Sequence, residues 1–127
     1  MSDVRVVPAQ LVQLVGLDGE TPAFQSTTTN VPARTTVTTT VVVVLLAEDE
    51  DRKQFIIQNT DILPIHLAFG ANNPSVSEHH VTLKACTNAN DGTGGSFISD
   101  MWKGEVRAIA EQVLLVTDGA VSVTEFT

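Results

Sequence analysis

The stretch of residues 52–70 constrains the fold of this chain more than any other part of the sequence. Phe55 and Ile57 alternate with Ile56 and Gln58. Ile65, Leu67 and Phe69 alternate with His66 and Ala68. Asn, Thr and Asp at positions 59–61 separate the two runs, and Pro64 precedes the second. Apolar residues at every second position, bounded by such turn-forming residues, are typical of a half-buried β-hairpin. We therefore predict that residues 52–70 form two paired strands at the centre of an antiparallel sheet.

The rest of the sequence is also typical of β-structure. Val, Ile, Leu and Thr are abundant, only 5% of the residues are aromatic, and the sequence contains no Tyr. Asp118 and Gly119 stand between two apolar runs and predict a tight hairpin turn, and residues 101–112 are the one segment whose pattern is compatible with a short helix. The fold prediction is an all-β protein, an antiparallel β-sandwich or jelly roll of about eight strands with an extended N-terminal arm. Further strands are predicted at residues 37–47, 81–85, 97–98, 105–110, 113–116 and 120–126.

The first 36 residues differ in composition from the rest of the chain. Thr, Pro, Ala, Ser and Asn dominate positions 21–36, where Pro22 and Pro32 favour an extended backbone. Such a segment has too few apolar groups to fold by itself, so it is either disordered or docked on another surface. We predict an extended arm over residues 1–36 and a β-sandwich body over residues 37–127. The apolar side chains expected to dock the arm on a partner are Val6, Leu11, Leu14 and Phe24.

Charge and composition argue against several classes of ligand. Seven basic and fifteen acidic residues give a net charge of −8, so nucleic acid and anionic membranes would repel the chain. The longest apolar run, residues 41–47, is too short to span a membrane, and the N-terminus lacks the pattern of a secretion signal. The single cysteine, Cys86, has no partner for an intramolecular disulfide. We expect no cofactor, no nucleic acid and no membrane as partners, and synthesis in the cytoplasm.

The polar clusters of the sequence lack the spacing of a metal or catalytic site. Residues 48–51 are four consecutive acids, whose side chains would point in different directions, as in a solvated turn beside a strand. His79 and His80 are expected on opposite sides of a strand, and His66 could meet one of them only if their strands are neighbours. The loop of residues 87–95 lacks calcium ligands at the required positions. We predict surface or interface histidines, no metal site and, since no nucleophile motif is present, no enzymatic activity.

Several motifs in the chain resemble a known class of proteins. Residues 52–59 read Arg-x-x-Phe-Ile-Ile-Gln-Asn, and residues 64–70 read Pro-Ile-x-x-x-Phe-Gly. Downstream, Trp102 precedes a Val-x-Ala-Ile strand at residues 106–109, and the chain closes on Val-x-Val-x-Glu at residues 121–125. From about residue 50 onward the sequence resembles the small β-sandwich proteins found in the particles of tailed bacteriophages.

The resemblance implies a structural role in the virion. The expected function is that of a capsid decoration (cement) protein, which binds the major capsid protein and stabilises the head shell. The alternative is a tail, collar or head-fibre β-domain that binds a receptor or a glycan. Cement proteins of this size commonly sit as trimers at local threefold positions, so the resemblance implies a homo-oligomer on the capsid surface, made in the host bacterial cytoplasm. Apolar strand surface that a small monomer leaves uncovered predicts an oligomer interface at Val42, Val44 and Trp102.

Overall fold

Two antiparallel four-stranded sheets account for the folded body. The structure is a computed structural model, and it describes Thr29 and residues 31–127. The eight described strands are β1 (Ala33–Thr38), β2 (Val43–Leu46), β3 (Gln54–Asn59), β4 (Ile65–Phe69), β5 (Val81–Leu83), β6 (Ser96–Ser99), β7 (Val106–Ala110) and β8 (Asp118–Phe126).

The order of the strands is that of a jelly roll. One sheet has the order β1-β8-β3-β6 and the other has the order β2-β7-β4-β5. Every connection along the chain crosses from one sheet to the other, except the one between β4 and β5. Eight strands in two sheets with this alternation form the double-sheet jelly roll, in which crossing connections gather at the two ends of the sandwich. The predicted all-β fold with about eight strands is confirmed.

The connections define two ends of the sandwich, and the strand registers fix which connections share an end. The upper end carries the connections β1–β2, β3–β4, β5–β6 and β7–β8. The lower end carries the connections β2–β3, β4–β5 and β6–β7, together with the beginning of β1 and the end of β8. Strands β1 and β2 form the edges of the two sheets on the same side of the sandwich.

Alternating side chains of both sheets fill the core between them. In β3, Phe55 and Ile57 point inward and are fully buried, as the alternation in the sequence predicts. The opposite sheet contributes apolar residues from β4 and β7, and the ring of Phe97 contacts both Phe55 and Phe69. The buried apolar core contains Val37, Leu46, Phe55, Ile57, Leu63, Ile65, Leu67, Leu83, Val106, Ala108, Ala110, Val121 and Val123.

The predicted hairpin over residues 52–70 is wrong in its pairing, although both of its strands exist. β3 lies in one sheet and β4 lies in the other, so the connection between them is an arch across the core. Leu63 in this arch is fully buried, and the chain therefore cannot close a solvent-facing turn there. β4 is also buried on both faces over most of its length rather than half-buried.

The strand predicted at residues 37–47 is in fact two strands in different sheets. Between β1 and β2 the chain turns at Thr38, whose hydroxyl accepts a hydrogen bond from the amide of Val41 at 3.1 Å. β1 begins at Ala33 and pairs with β8 from Ala33 opposite Val123 to Thr38 opposite Asp118. The boundary placed between residues 36 and 37 therefore falls inside β1.

The segment before β8 also differs from the sequence prediction. Residues 113–116 do not form a strand of either sheet, and Val113 and Val116 instead make an isolated bridge around a tight turn. Asp118 is already the first residue of β8, so no hairpin turn lies at Asp118-Gly119. The segment proposed as a possible helix contains turns followed by strand β7, and the described part of the chain contains no helix.

A buried arginine holds the lower end together. Arg52 is only 1% exposed, and it lies two residues before the start of β3. Its Nε donates to the carboxylate of Glu125 at 2.9 Å, and its Nη1 donates to the carbonyl oxygens of Gly104 at 3.0 Å and Trp102 at 3.3 Å. Its Nη2 donates to the carbonyl oxygen of Ala47. One guanidinium therefore ties the connections β2–β3 and β6–β7 to the end of β8.

A buried asparagine holds the upper end together. The side-chain amide of Asn59, the last residue of β3, donates to the carbonyl oxygens of Leu63 at 2.8 Å and Leu83 at 3.2 Å. Its Oδ1 accepts from the amide of Asp61 at 3.0 Å. A Cβ at Gly94 would lie 2.0 Å from the main-chain oxygen of Asn59, so only glycine allows the β5–β6 connection to pass there.

We expect Arg52→Met to destabilise the fold by about 3–5 kcal/mol, because it removes a buried ion pair and leaves several buried carbonyl oxygens without their donor. Arg34→Met is the matched control, since the Arg34 side chain is 55% exposed and pairs with Asp61 at 3.5 Å on the surface. The control should change the free energy of unfolding by less than about 1 kcal/mol. Urea unfolding of both variants measures the difference. Equal losses in the two variants would contradict the role assigned to Arg52.

Candidate interaction surfaces

An apolar patch lies at the upper end, beside the edge strands β1 and β2. The connections β1–β2 and β7–β8 run side by side here, joined by a hydrogen bond of 3.0 Å from the amide of Thr39 to the carbonyl oxygen of Thr117. Neither residues 39–47 nor residues 112–117 include a charged residue, although the chain has a net charge of −8. We call this patch the apolar corner; its exposed members are Val41, Val113, Leu114 and Leu115.

Two leucines form the tip of the apolar corner. Leu114 is 88% exposed and Leu115 is 93% exposed. The turn is closed by a hydrogen bond of 3.1 Å from the amide of Val116 to the carbonyl oxygen of Val113. Leu114 has φ 54°, a left-handed conformation that costs a residue with a branched side chain about 1 kcal/mol or more. The chain thus presents apolar side chains to solvent on a strained turn, which is a feature typical of contact sites.

The structure separates the residues predicted as one oligomer interface. Val42 is half-buried just before β2, and Val44 points outward from β2 opposite Arg107. Trp102 lies in the β6–β7 connection at the lower end, where its ring packs edge-on against Phe69 and remains 38% exposed. Val42 therefore adjoins the apolar corner, whereas Val44 lies level with the second residue of β7, nearer the lower end, and Trp102 lies in a connection at that lower end. The leucine tip was not predicted as a contact, because residues 113–116 were assigned to a strand.

The residues predicted to dock the arm lie outside the described part of the chain. These residues are Val6, Leu11, Leu14 and Phe24. The chain enters the described body near Thr29, which makes an isolated bridge to Phe126 at the lower end.

Two of the three histidines, His66 and His79, come together on the outer face of the sheet β2-β7-β4-β5. β4 and β5 are neighbours, which places His66 opposite Thr82. The ring centroids of His66 and His79 are 4.1 Å apart, while His80 stacks on Phe69 at 5.5 Å. The prediction of surface histidines is wrong for His66, which is 4% exposed because the β4–β5 connection folds over it. This connection also forms a pocket of about 200 Å³ lined by Ala68, Asn72, Asn73, Glu78, His79 and His80.

The remaining polar residues form hydrogen bonds within the body. In the acidic connection β2–β3, the carboxylate of Asp49 accepts from the amide of Asp51 at 2.9 Å. The Cys86 thiol is buried and donates to the carbonyl oxygen of Asn59 at 3.3 Å. Among Thr29 and residues 31–127, no three His, Cys, Asp or Glu side chains are grouped so that they could hold a metal ion.

One carboxylate organises the glycine-rich connection β5–β6. The Asp91 carboxylate accepts hydrogen bonds from the Thr93 hydroxyl at 2.6 Å and the Thr93 amide at 3.0 Å. The amide of Asn88 donates to its second oxygen at 2.8 Å. These donors, the Thr93 hydroxyl first, lower the pKa of Asp91 below the ordinary value of 3.8.

Comparisons of the chain with protein families, with curated proteins and with solved structures found no match. In the described part of the chain, no helix has the length and apolar character needed to cross a membrane.

The hydrogen bonds to Asp91 should make the β5–β6 connection sensitive to acid. Because the ionised carboxylate is the form that accepts these bonds, its stabilisation is complete above about pH 4 and is lost as the pH falls through the lowered pKa. An NMR titration of the Asp91 carboxyl carbon should therefore give a midpoint below 3.8, with the amide shifts of Asn88 and Thr93 following it. Thr93→Val removes the hydroxyl donor and should raise that midpoint. A midpoint at or above the ordinary value in the unaltered chain would contradict the assignment.

Proposed function

We propose that this chain is a structural protein of a tailed-bacteriophage particle, a capsid decoration protein that binds the head shell as a homo-oligomer, most simply a trimer. The observation that carries the proposal is the apolar corner, in which two nearly fully exposed leucines project from a strained turn on a rigid jelly roll. Burying both leucines against protein would contribute about 1.5–3 kcal/mol each before the costs of association.

The motifs that resemble phage virion proteins lie in the scaffold of the fold. Arg52 and Asn59, at the two ends of the first motif, are the buried side chains that hold the connections of the sandwich. Phe55 and Ile57 between them are core residues. The resemblance therefore concerns residues that determine the jelly roll, a fold used by viral capsid proteins as well as by lectins and cupins. As support for the function this is an analogy of fold.

The chain offers two contact regions at opposite ends of the body. The apolar corner is at the upper end, and the N-terminal arm joins the body at the lower end near Thr29. In the proposed assembly the apolar corner joins copies of this chain to one another. The arm binds neighbouring subunits of the major capsid protein, with Val6, Leu11, Leu14 and Phe24 as its apolar contacts. Joining several arms in one oligomer would multiply weak attachments into avidity and strengthen the shell.

The pocket on the outer face of the sheet favours a second candidate, a tail, collar or head-fibre domain that binds a receptor or glycan. Its lining includes Asn72, Asn73 and Glu78, side chains that can both orient and hydrogen-bond a polar ligand. The number of copies per particle distinguishes the two candidates. Hundreds of copies on the head would support decoration, and a handful on the tail or collar would support the second candidate.

The contribution of the apolar corner to self-association is tested by the double variant Leu114→Asn, Leu115→Ser. Asn tolerates the left-handed conformation at position 114, so we expect the fold to be retained with unchanged or slightly higher stability. The matched control is Met101→Ser, since Met101 is 85% exposed at the lower end. Multi-angle light scattering at micromolar concentration should show an oligomer for the unaltered chain and for the control, and a monomer for the double variant. A monomeric unaltered chain would contradict the proposed assembly.

Attachment by the arm is tested by comparing two truncations. Removal of residues 1–28 leaves β1 intact, so the body should fold, whereas removal of residues 1–36 also deletes much of β1 and uncovers the edge of β8. We expect the first truncation to melt near the full chain and the second to melt several degrees lower. Co-sedimentation with undecorated heads, assembled from the capsid protein of the same genome, should be lost in the first truncation. Sedimentation equal to that of the full chain would show that the arm is not the attachment device.

A further inference from the structure

A chain of four hydrogen bonds crosses the outer face of the sheet β2-β7-β4-β5. His79 Nδ1 lies 3.0 Å from the carbonyl oxygen of Ser75, and His79 Nε2 lies 2.9 Å from the Thr82 hydroxyl. The same hydroxyl lies 2.9 Å from His66 Nδ1, and His66 Nε2 lies 2.8 Å from a carboxylate oxygen of Glu111. The chain links the β4–β5 connection to strands β4 and β5 and to the start of the β7–β8 connection.

The four contacts need one hydrogen more than these groups supply when both histidines are neutral and Glu111 is ionised. Each of the four contacts requires one hydrogen. A neutral His79, the Thr82 hydroxyl and a neutral His66 supply one each, and the ionised Glu111 supplies none. Since the Ser75 carbonyl oxygen can only accept, the direction of the first bond is fixed. All four bonds therefore form together only when the group holds one additional proton, on whichever member it resides.

The exposure of the four groups indicates which of them can move when the additional proton is absent. His66 and Thr82 are held in place by the pairing of β4 with β5, and the His66 side chain is 5% exposed. The Glu111 side chain is 40% exposed, so its carboxylate can turn into water. Without the additional proton, one of the four contacts lacks its hydrogen. If that contact is the one between His66 Nε2 and Glu111, the two groups present lone pairs to each other, and the exposed carboxylate is the group that can turn away.

We propose that His66, His79, Thr82 and Glu111 form a proton-operated latch, which closes when the group binds one proton and opens at Glu111 when that proton is lost. The other charged groups nearby are Glu78 and His80, which line the adjoining pocket, and Arg107, whose guanidinium is engaged with Glu105 at 2.8 Å and with Asn73 at 2.6 Å. His80 Nδ1 accepts from the amide of Phe69 at 3.0 Å, and it does not share a bond with the latch.

The position of Glu111 gives the latch a structural consequence. Glu111 follows the last residue of β7 and begins the connection that carries the apolar corner. Its amide remains bonded to the carbonyl oxygen of Pro64 at 2.9 Å, so opening releases the side chain without detaching the strand. The latch therefore makes the start of this connection sensitive to pH.

The variant Glu111→Gln provides a sharp test, because the glutamine amide can donate the missing hydrogen to His66 Nε2. Its four bonds can then form with both imidazoles neutral. In the unaltered chain, NMR of the imidazole nitrogens should show His66 and His79 responding together, in one transition, to the binding of a single proton. In Glu111→Gln the transition midpoint of this pair should fall by at least one pH unit, a tenfold weaker affinity for the proton. His80 should titrate alike in both proteins and serves as the internal control.

Thr82→Val is a second test, because valine has nearly the shape of threonine but lacks the hydroxyl that links the two imidazoles. His66 and His79 should then titrate in separate transitions, with His66 still paired to Glu111. The proposal would be overturned if the two histidines titrated separately in the unaltered chain, or if Glu111→Gln left their midpoint unchanged.

Discussion

The fold depends on the two buried polar side chains at the ends of β3. A jelly roll in which nearly every connection crosses between sheets leaves many main-chain groups at its ends without strand partners. Arg52 satisfies carbonyl oxygens of the lower connections, and Asn59 satisfies those of the upper connections. Arg52 bonds to two connections and to β8, and Asn59 bonds to the β3–β4 connection and to the end of β5, so each side chain fixes how these segments pass one another. The hydrophobic core between them gives the stability, and these two residues give the ends their unique arrangement.

Rigid ends explain how the protein tolerates an exposed and strained turn. The left-handed backbone at Leu114 costs free energy locally. Within the described body no contact of the Leu114 side chain offsets this cost, because the side chain is largely in solvent. The flanking residues are held by the bridge of Val113 to Val116 and by the bond from Thr39 to Thr117. Such a turn can remain in a high-energy conformation because the surrounding strands determine its geometry.

The sequence was informative about strands and faces but not about pairing. Apolar alternation placed β3, β4, β7 and β8 and identified Phe55 and Ile57 as inward-facing, because a period of two residues reports which face is buried. The same period carries no information on the neighbouring strand, so the arch between β3 and β4 was mistaken for a hairpin. The signal that could have corrected it is Leu63, an apolar residue inside the supposed turn.

Other sites were not predicted because residues of the same types are more often found in a different role. Arg52 follows four acids and resembles a surface cation, and its burial emerges only from carbonyl groups that converge on it from distant parts of the chain. Leu114 and Leu115 have the composition of a strand. The same non-local convergence places the apolar corner and Thr29, where the chain enters the described body, at opposite ends of one nine-residue strand, β8, about 30 Å apart. A sister copy at the apolar corner would leave Thr29 uncovered, so the proposed self-association does not block the end of the body at which the arm begins.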